Sequence, residues 1–234
     1  MPRVPFPPIE PPPTRVKFPN PDHLPSSWDV VAEGCDFSPG TLLLAYRSGI
    51  FPWPQGHARD VLWVSPNPRE IFPLEKPPHW SRSLRRTLRK HPYEVTLDED
   101  FMSVMRMCGE TRADDTWIIP ELIEGYAHLH ALGWAHSVEV WEKTPGGREL
   151  VGGIYGVSVG SAFAGESMFH TRTDTSKIAF ATLVSALRDA GYTLFDAQIW
   201  TSHLASLGCI ETTRDVYLAQ LADALTHTPK LLLR

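Results

Sequence analysis

The 234-residue sequence predicts an α+β protein. Three observations carry that prediction. Between His136 and Phe169 the chain runs through strand-like segments divided by short turns, the pattern of an antiparallel meander. On either side lie segments whose apolar residues recur every three to four positions, the period of a helix. Several of these begin at a proline and close at a glycine, as Pro39 with Gly49 and Pro120 with Gly133 do.

The elements follow in order. Ten of the 22 prolines precede residue 26, so residues 1–27 are expected to be an extended or disordered tail. Residues 28–75 are expected to form a small N-terminal domain and residues 76–234 a larger one. Ser38 is placed to cap a helix that starts at Pro39 and carries Leu42, Leu43, Leu44 and Tyr46. The runs Gly49–Pro54 and Val61–Pro66 are aromatic and proline-bounded, which suits short strands or loops. Around residues 80–90, Arg82, Arg85, Arg86 and Arg89 fall on one helical face and Trp80, Leu84 and Leu88 on the other, with Lys90 extending the cationic side. Tyr93–Leu97 is a strand and Glu99–Met107 a helix. Ile119–Leu132 is a helix with Leu122, Ile123, Tyr126 and Leu129 on one stripe. His136–Glu142, Leu150–Val159 and Ser161–Phe169 supply the meander. A helix over Thr175–Ala190 closes at Gly191, Tyr192–Gln198 is a strand, and His203–Leu207 and Val216–His227 are helices. Helix, antiparallel strands, helix, strand, helix is the layout of N-acetyltransferase-like folds.

Bulk composition narrows the function. A formal net charge of -5 excludes binding of nucleic acid through overall charge, leaving only a local patch. The basic helix face supplies one, because arginines without acidic i,i+4 partners gain little helix stability but suit phosphates. Cys35, Cys108 and Cys209 are too few and too scattered for a disulfide framework or a zinc site. Neither a signal-peptide core nor an apolar run of membrane-spanning length is visible, so a cytoplasmic location is expected.

Candidate chemistry lies in two strand segments. Asp196 and Gln198, two residues apart, share one face of a strand. Such a pair either holds and deprotonates an amine or forms a buried structural hydrogen bond. In Gly165-Glu166-Ser167-Met168-Phe169, Glu166 is either a binding group for a cation or an edge carboxylate. The junction His170–Lys177 contains no glycine to cradle a pyrophosphate, which disfavours a CoA-dependent N-acetyltransferase despite the layout. Trp53 and Trp117 stand beside turns, where a ring either joins the core or stacks on a base. A non-catalytic RNA-binding module, with Asp196 and Gln198 structural, is a further alternative.

Nine segments together resemble the leucyl/phenylalanyl-tRNA–protein transferase family: Ala45–Trp53, Trp63–Arg69, Thr116–Ile118, Ala127–Gly133, Ala135–Trp141, Leu150–Val157, Gly165–Phe169, Phe195–Gln198 and His203–Gly208. The resemblance covers about residues 36–220 and implies an N-acetyltransferase-like C-terminal domain. It implies transfer of leucine or phenylalanine, and methionine less well, from aminoacyl-tRNA to proteins with N-terminal arginine or lysine, marking them for degradation. No cofactor or metal is implied. Asp196 and Gln198 match the pair that promotes attack of the α-amine, with Asp196 expected to move the proton, and Glu166 matches a pocket carboxylate. Ile154, Phe163, Met168, Leu183 and Phe195 match the wall of the aminoacyl pocket. Trp53 and Trp117 match residues that hold the tRNA 3′ adenosine, and Arg82, Arg85, Arg86, Arg89 and Lys90 would hold tRNA phosphates. Ile154 and Leu183 stand where the family commonly has Met and Phe.

Overall fold

The computed structural model describes residues 4–34, 36–55, 61–111 and 118–230. Its core is a seven-stranded sheet in the order β10-β4-β9-β8-β7-β6-β5. The expected meander forms its larger half: β5 (Glu94–Leu97), β6 (Ala135–Thr144), β7 (Gly147–Val159) and β8 (Ala162–His170) pair antiparallel in sequence order. β9 (Leu194–Gln198) then pairs parallel to β8. A parallel neighbour needs a crossover, and α5 (Thr175–Ala190) provides it, ending at Gly191 in the left-handed region as expected.

α5 covers one face of the sheet, packing Ile178, Phe180, Leu183 and Leu187 onto Val138, Val140, Ile154, Phe163 and Phe195. The opposite face is covered by α1 (Pro39–Arg47), α3 (Phe101–Glu110) and α4 (Pro120–Ala131). A three-stranded sheet of β1 (Val30–Glu33), β3 (Val61–Val64) and β2 (Phe51–Pro54) shares that second core through Trp63 and Phe51. The two layers around the large sheet bury two separate apolar clusters, the arrangement expected of an α+β chain.

Several boundaries differ from the sequence expectation. The segment Arg69–Phe72, which the expected division at residue 75 leaves in the N-terminal domain, is strand β4 and sits between β9 and β10 (Ile210–Thr212) inside the large sheet. Flanking prolines at 66, 68 and 73 masked it, and three residues are too few for β10 to show a period. α3 starts two residues late because the Asp100 carboxylate accepts from the Ser103 amide as its cap. α7 spans Arg214–Ala224, ahead of the expected range.

From residue 4 to Asn20 the tail forms neither helix nor strand, Pro21–His23 make a short 3-10 turn instead of the expected extended chain, and the segment lies against the protein. The Ile9 amide donates to the Leu132 carbonyl and the Trp134 indole donates to the Ile9 carbonyl, each at 2.8 Å. Arg47 grips both oxygens of Glu10, and Pro11 is buried. A proline-rich segment loses little conformational freedom on docking, so a few bonds suffice to fix it. No described helix is long and apolar enough to cross a membrane.

Candidate functional site

The site forms where two parallel strands stop pairing. β8 and β9 are in register only over Ala162–Ala164 and Leu194–Asp196, although β8 continues to His170 and β9 to Gln198. A cavity of about 660 Å³ opens there, walled by Gly165–His170 on one side and Phe195 with Ala197–Ile199 on the other. Ile154 from β7, Phe180 from α5 and Leu204 from α6 (Ser202–Leu207) add apolar wall, and Trp53 from β2 reaches it from the small sheet. Gly165 is needed here: a Cβ would lie 2.9 Å from the Phe195 ring.

Of the five residues expected around an aminoacyl pocket, Ile154, Met168 and Phe195 line the cavity. Phe163 and Leu183 do not. Both are buried behind it, with Phe163 edge-on to Phe195 at 5.8 Å and Leu183 turned into the sheet core. Phe180, one turn before Leu183 on α5, takes the wall position, 5.3 Å from Phe195. Trp117 lies outside the described residues, as does Cys35.

Glu166 owes its position to a β-bulge. Tyr155 faces Ser167 and Gly156 faces Gly165, so Glu166 is the extra residue on β8. A bulge re-aims the side chains at its position. The Glu166 carboxylate accepts from Tyr46 (2.7 Å), Tyr126 (2.9 Å) and the Gln198 amide (2.7 Å). Tyr46 and Tyr126 also bond each other. Proton counting is informative here. Two phenols carry two protons, but the three groups make three mutual contacts. A third proton, on Glu166, satisfies every contact in a closed ring; an ionised Glu166 leaves one contact without a proton. Burial pushes Glu166 up to about 7, with the three donors opposing, and it pushes both tyrosines well above their usual range.

Asp196 lies on the same face but is closed off. One oxygen accepts from the Arg69 Nε at 2.8 Å and from the Gln198 backbone amide at 2.9 Å. The other accepts from the Arg69 Nη2 at 2.5 Å and from Tyr217 at 2.9 Å. Asp196 is 2% exposed, Arg69 1%, and Asp196 does not line the cavity. Burial disfavours the Arg69 charge, but the Asp196 carboxylate more than restores it. Gln198 itself has φ +68, a left-handed conformation held by the Asp196 bond to its amide. The sequence pattern expected the two side chains to pair; in the structure Asp196 meets the Gln198 backbone amide and the Gln198 side chain turns to Glu166. The pattern did not show Arg69, Tyr46, Tyr126 or Tyr217, because each sits in a run read as apolar or as loop.

The basic helix is α2 (Arg82–Lys90), capped by the Ser81 hydroxyl on the Leu84 amide. Arg82, Arg85, Arg86, Arg89 and Lys90 are all exposed, and no ion pair among the described residues engages them. Leu84 is buried and Trp80 stacks on Phe72 at 5.8 Å, so the helix is anchored by its apolar side. Thr87 donates to Asp174, which in turn holds Lys177 at 2.7 Å at the start of α5. The cationic face is thereby tied to the helix end whose Ser176 lines the cavity. His170 and His203 also line the cavity; burial and the charges of Lys177 and His170 lower the pKa of His203.

Residues 71–222 match the family described as leucyl/phenylalanyl-tRNA protein transferase, and residues 36–67 match its N-terminal domain. A leucyl/phenylalanyl-tRNA–protein transferase from Anaeromyxobacter sp. is 48% identical over 91% of this chain and 89% of its own. One from Cereibacter sphaeroides is 51% identical over 80% of this chain and 85% of its own. Among solved structures, FemX aligns with a TM-score of 0.48 and 14% identity, over 67% of this chain and 64% of that one. The chain is therefore an aminoacyltransferase, an enzyme that moves an aminoacyl group from tRNA to protein. It belongs to the leucyl/phenylalanyl-tRNA–protein transferase family, and the match between residues 67 and 71 changes domain model just where β4 enters the large sheet.

Proposed function

We propose that this enzyme transfers leucine or phenylalanine, and methionine less well, from aminoacyl-tRNA to the α-amine of proteins that begin with arginine or lysine. The product is a degradation signal of the N-end rule pathway, and the enzyme works in the cytoplasm. The region from β4 onward is N-acetyltransferase-like, with the substrate taken between β8 and β9. The observation that carries this reading is an apolar cavity that ends on a carboxylate poised near neutrality.

The ester of an aminoacyl-tRNA is already activated, so the protein must position it and manage protons. Ile154, Met168, Phe180, Phe195 and Leu204 give the acyl side chain an uncharged chamber of modest selectivity. Glu166 faces that chamber and attracts the incoming ammonium. With a pKa of about 7 it accepts the N–H proton that a neutral α-amine sheds as it attacks the ester. Gln198 orients Glu166, and Asp196 holds Gln198 in its left-handed conformation; Asp196 thus acts through position and not as the base first expected of it. Trp53 offers a ring at the cavity wall for the 3′ adenosine, and Trp117 is assigned the same duty. Arg82, Arg85, Arg86, Arg89 and Lys90 hold the tRNA phosphates.

The test is transfer of labelled leucine, phenylalanine and methionine from their tRNAs to peptides starting with arginine, lysine or alanine. Transfer to the basic peptides alone is expected, efficient for leucine and phenylalanine and weaker for methionine. A wild-type chain that transfers none of them removes the proposal.

A further inference from the structure

Aminolysis needs a third element that neither Glu166 nor Asp196 supplies: a donor for the carbonyl oxygen, which gains negative charge as the tetrahedral intermediate forms. Among the described residues, one fully buried hydroxyl of the cavity wall has no partner. Ser167 lines the cavity and is only 7% exposed, yet its hydroxyl finds no hydrogen-bond partner among the described residues. Buried polar groups are nearly always satisfied, so an orphaned hydroxyl on a residue of the cavity wall asks for a partner from the substrate. Two neighbouring polar groups have partners within the protein. The Gln198 amide donates to Glu166, and the Thr201 hydroxyl caps α6 by accepting from Leu204. Ser167 also follows Glu166 directly in the bulge, so one rigid strand fixes the spacing of donor and base.

We propose that the Ser167 hydroxyl is a catalytic oxyanion donor, hydrogen-bonded to the carbonyl oxygen of the aminoacyl ester. The neutral amine nitrogen attacks the carbonyl carbon, and the C=O π pair moves onto oxygen, where Ser167 donates to it. One N–H proton passes to the Glu166 carboxylate. As the carbonyl re-forms, the bond to the ribose O3′ breaks and that oxygen takes the proton from Glu166. Amine and ester become amide and ribose hydroxyl, and both side chains return to their starting states. This assignment rests on the aminoacyl-transfer reading above.

The experiment compares wild type with Ser167→Ala and Ser167→Thr. Single-turnover transfer is measured at saturating leucyl-tRNA, together with binding of two adenosine conjugates. One carries a 3′-amide-linked leucine, which is planar. The other carries the leucine phosphonate, which is tetrahedral and anionic. Ser167→Ala should slow transfer about 10²-fold or more, weaken the phosphonate by a similar factor and leave the amide unchanged. Its melting temperature should not fall, because it removes an unsatisfied hydroxyl. Ser167→Thr should recover part of the rate. Unchanged transfer, equal weakening of both conjugates, or a lower melting temperature for Ser167→Ala would each overturn the assignment. Absence of wild-type transfer would instead remove the parent reading, while the two-conjugate comparison still reports on Ser167.

Discussion

Two carboxylates on one face of the sheet have opposite surroundings. Asp196 and Glu166 each accept from a tyrosine hydroxyl and each touch Gln198. Asp196 also has Arg69, a buried cation bonded to both its oxygens. Among the described residues no cation bonds Glu166, only neutral donors do, and it opens on the cavity. A counter-ion fixes the charge of a buried acid and turns it into scaffold. Neutral donors leave the charge negotiable, and burial then moves the pKa toward the working pH. On the proposed function, the difference separates a group that holds the site from a group that exchanges protons in it.

The largest expected effect breaks the scaffold side. Asp196→Asn leaves Arg69 buried and unpaired, which costs about 3–5 kcal/mol of stability. Denaturant unfolding measures this. What folded fraction remains should keep the wild-type pH profile of transfer. A stable Asp196→Asn protein whose acid limb has vanished would reverse the two roles. Next comes Glu166→Gln, expected to fold and to lose about 10²–10⁴-fold in transfer rate. In wild type the rate should rise with pH through about 7 as Glu166 ionises, and the variant should lack that limb. Linkage gives a second readout. Glu166 binds its proton more tightly in the native state, so its stabilising contribution is complete at low pH. That contribution is lost between the ordinary carboxylate range and about 7. Relative to wild type, Glu166→Gln should therefore gain stability as pH rises through that window.

The contrast also explains what the sequence made legible. Periodicity located the meander, α5 and the two-residue spacing of Asp196 and Gln198, because these depend on local geometry alone. It placed the arginines of α2 on one exposed face for the same reason. The partners of each carboxylate were not legible. Arg69 reaches Asp196 across 127 positions and Tyr46 reaches Glu166 across 120, and no local period encodes such a pairing. Nor does composition distinguish a wall residue from the layer behind it: Leu183 and Phe180 lie on one apolar helix stripe, and only the depth of the cavity separates them.

A smaller effect tests whether α2 and the cavity are independent. Arg86→Ala with Arg89→Ala should weaken aminoacyl-tRNA binding and flatten its salt dependence by about 1 in log–log slope per arginine. Transfer from leucyl-adenosine, which has no tRNA body, should be unchanged. Loss on both substrates would mean that the helix shapes the cavity through Thr87 and Asp174.

The smallest effect separates the cavity wall from the layer behind it. Met168 touches the cavity and Leu183 does not, yet both matched the same expected pocket. Met168→Ala enlarges the chamber and removes apolar contact, so the ratio of phenylalanine to leucine transfer should rise by up to about 10-fold. Its stability should change less than that of Leu183→Ala. Leu183 is 1% exposed in the core, and its truncation costs about 2–5 kcal/mol through transfer and cavity terms. Leu183→Ala should leave the ratio within about twofold, because Phe180 stands between the new space and the substrate. The ratio is read from competitive transfer with both aminoacyl-tRNAs present, which cancels differences in active fraction. A ratio that follows Leu183 and ignores Met168 would place the acyl chain in the sheet core, and β8 and β9 would then have to part further than their three-residue register shows.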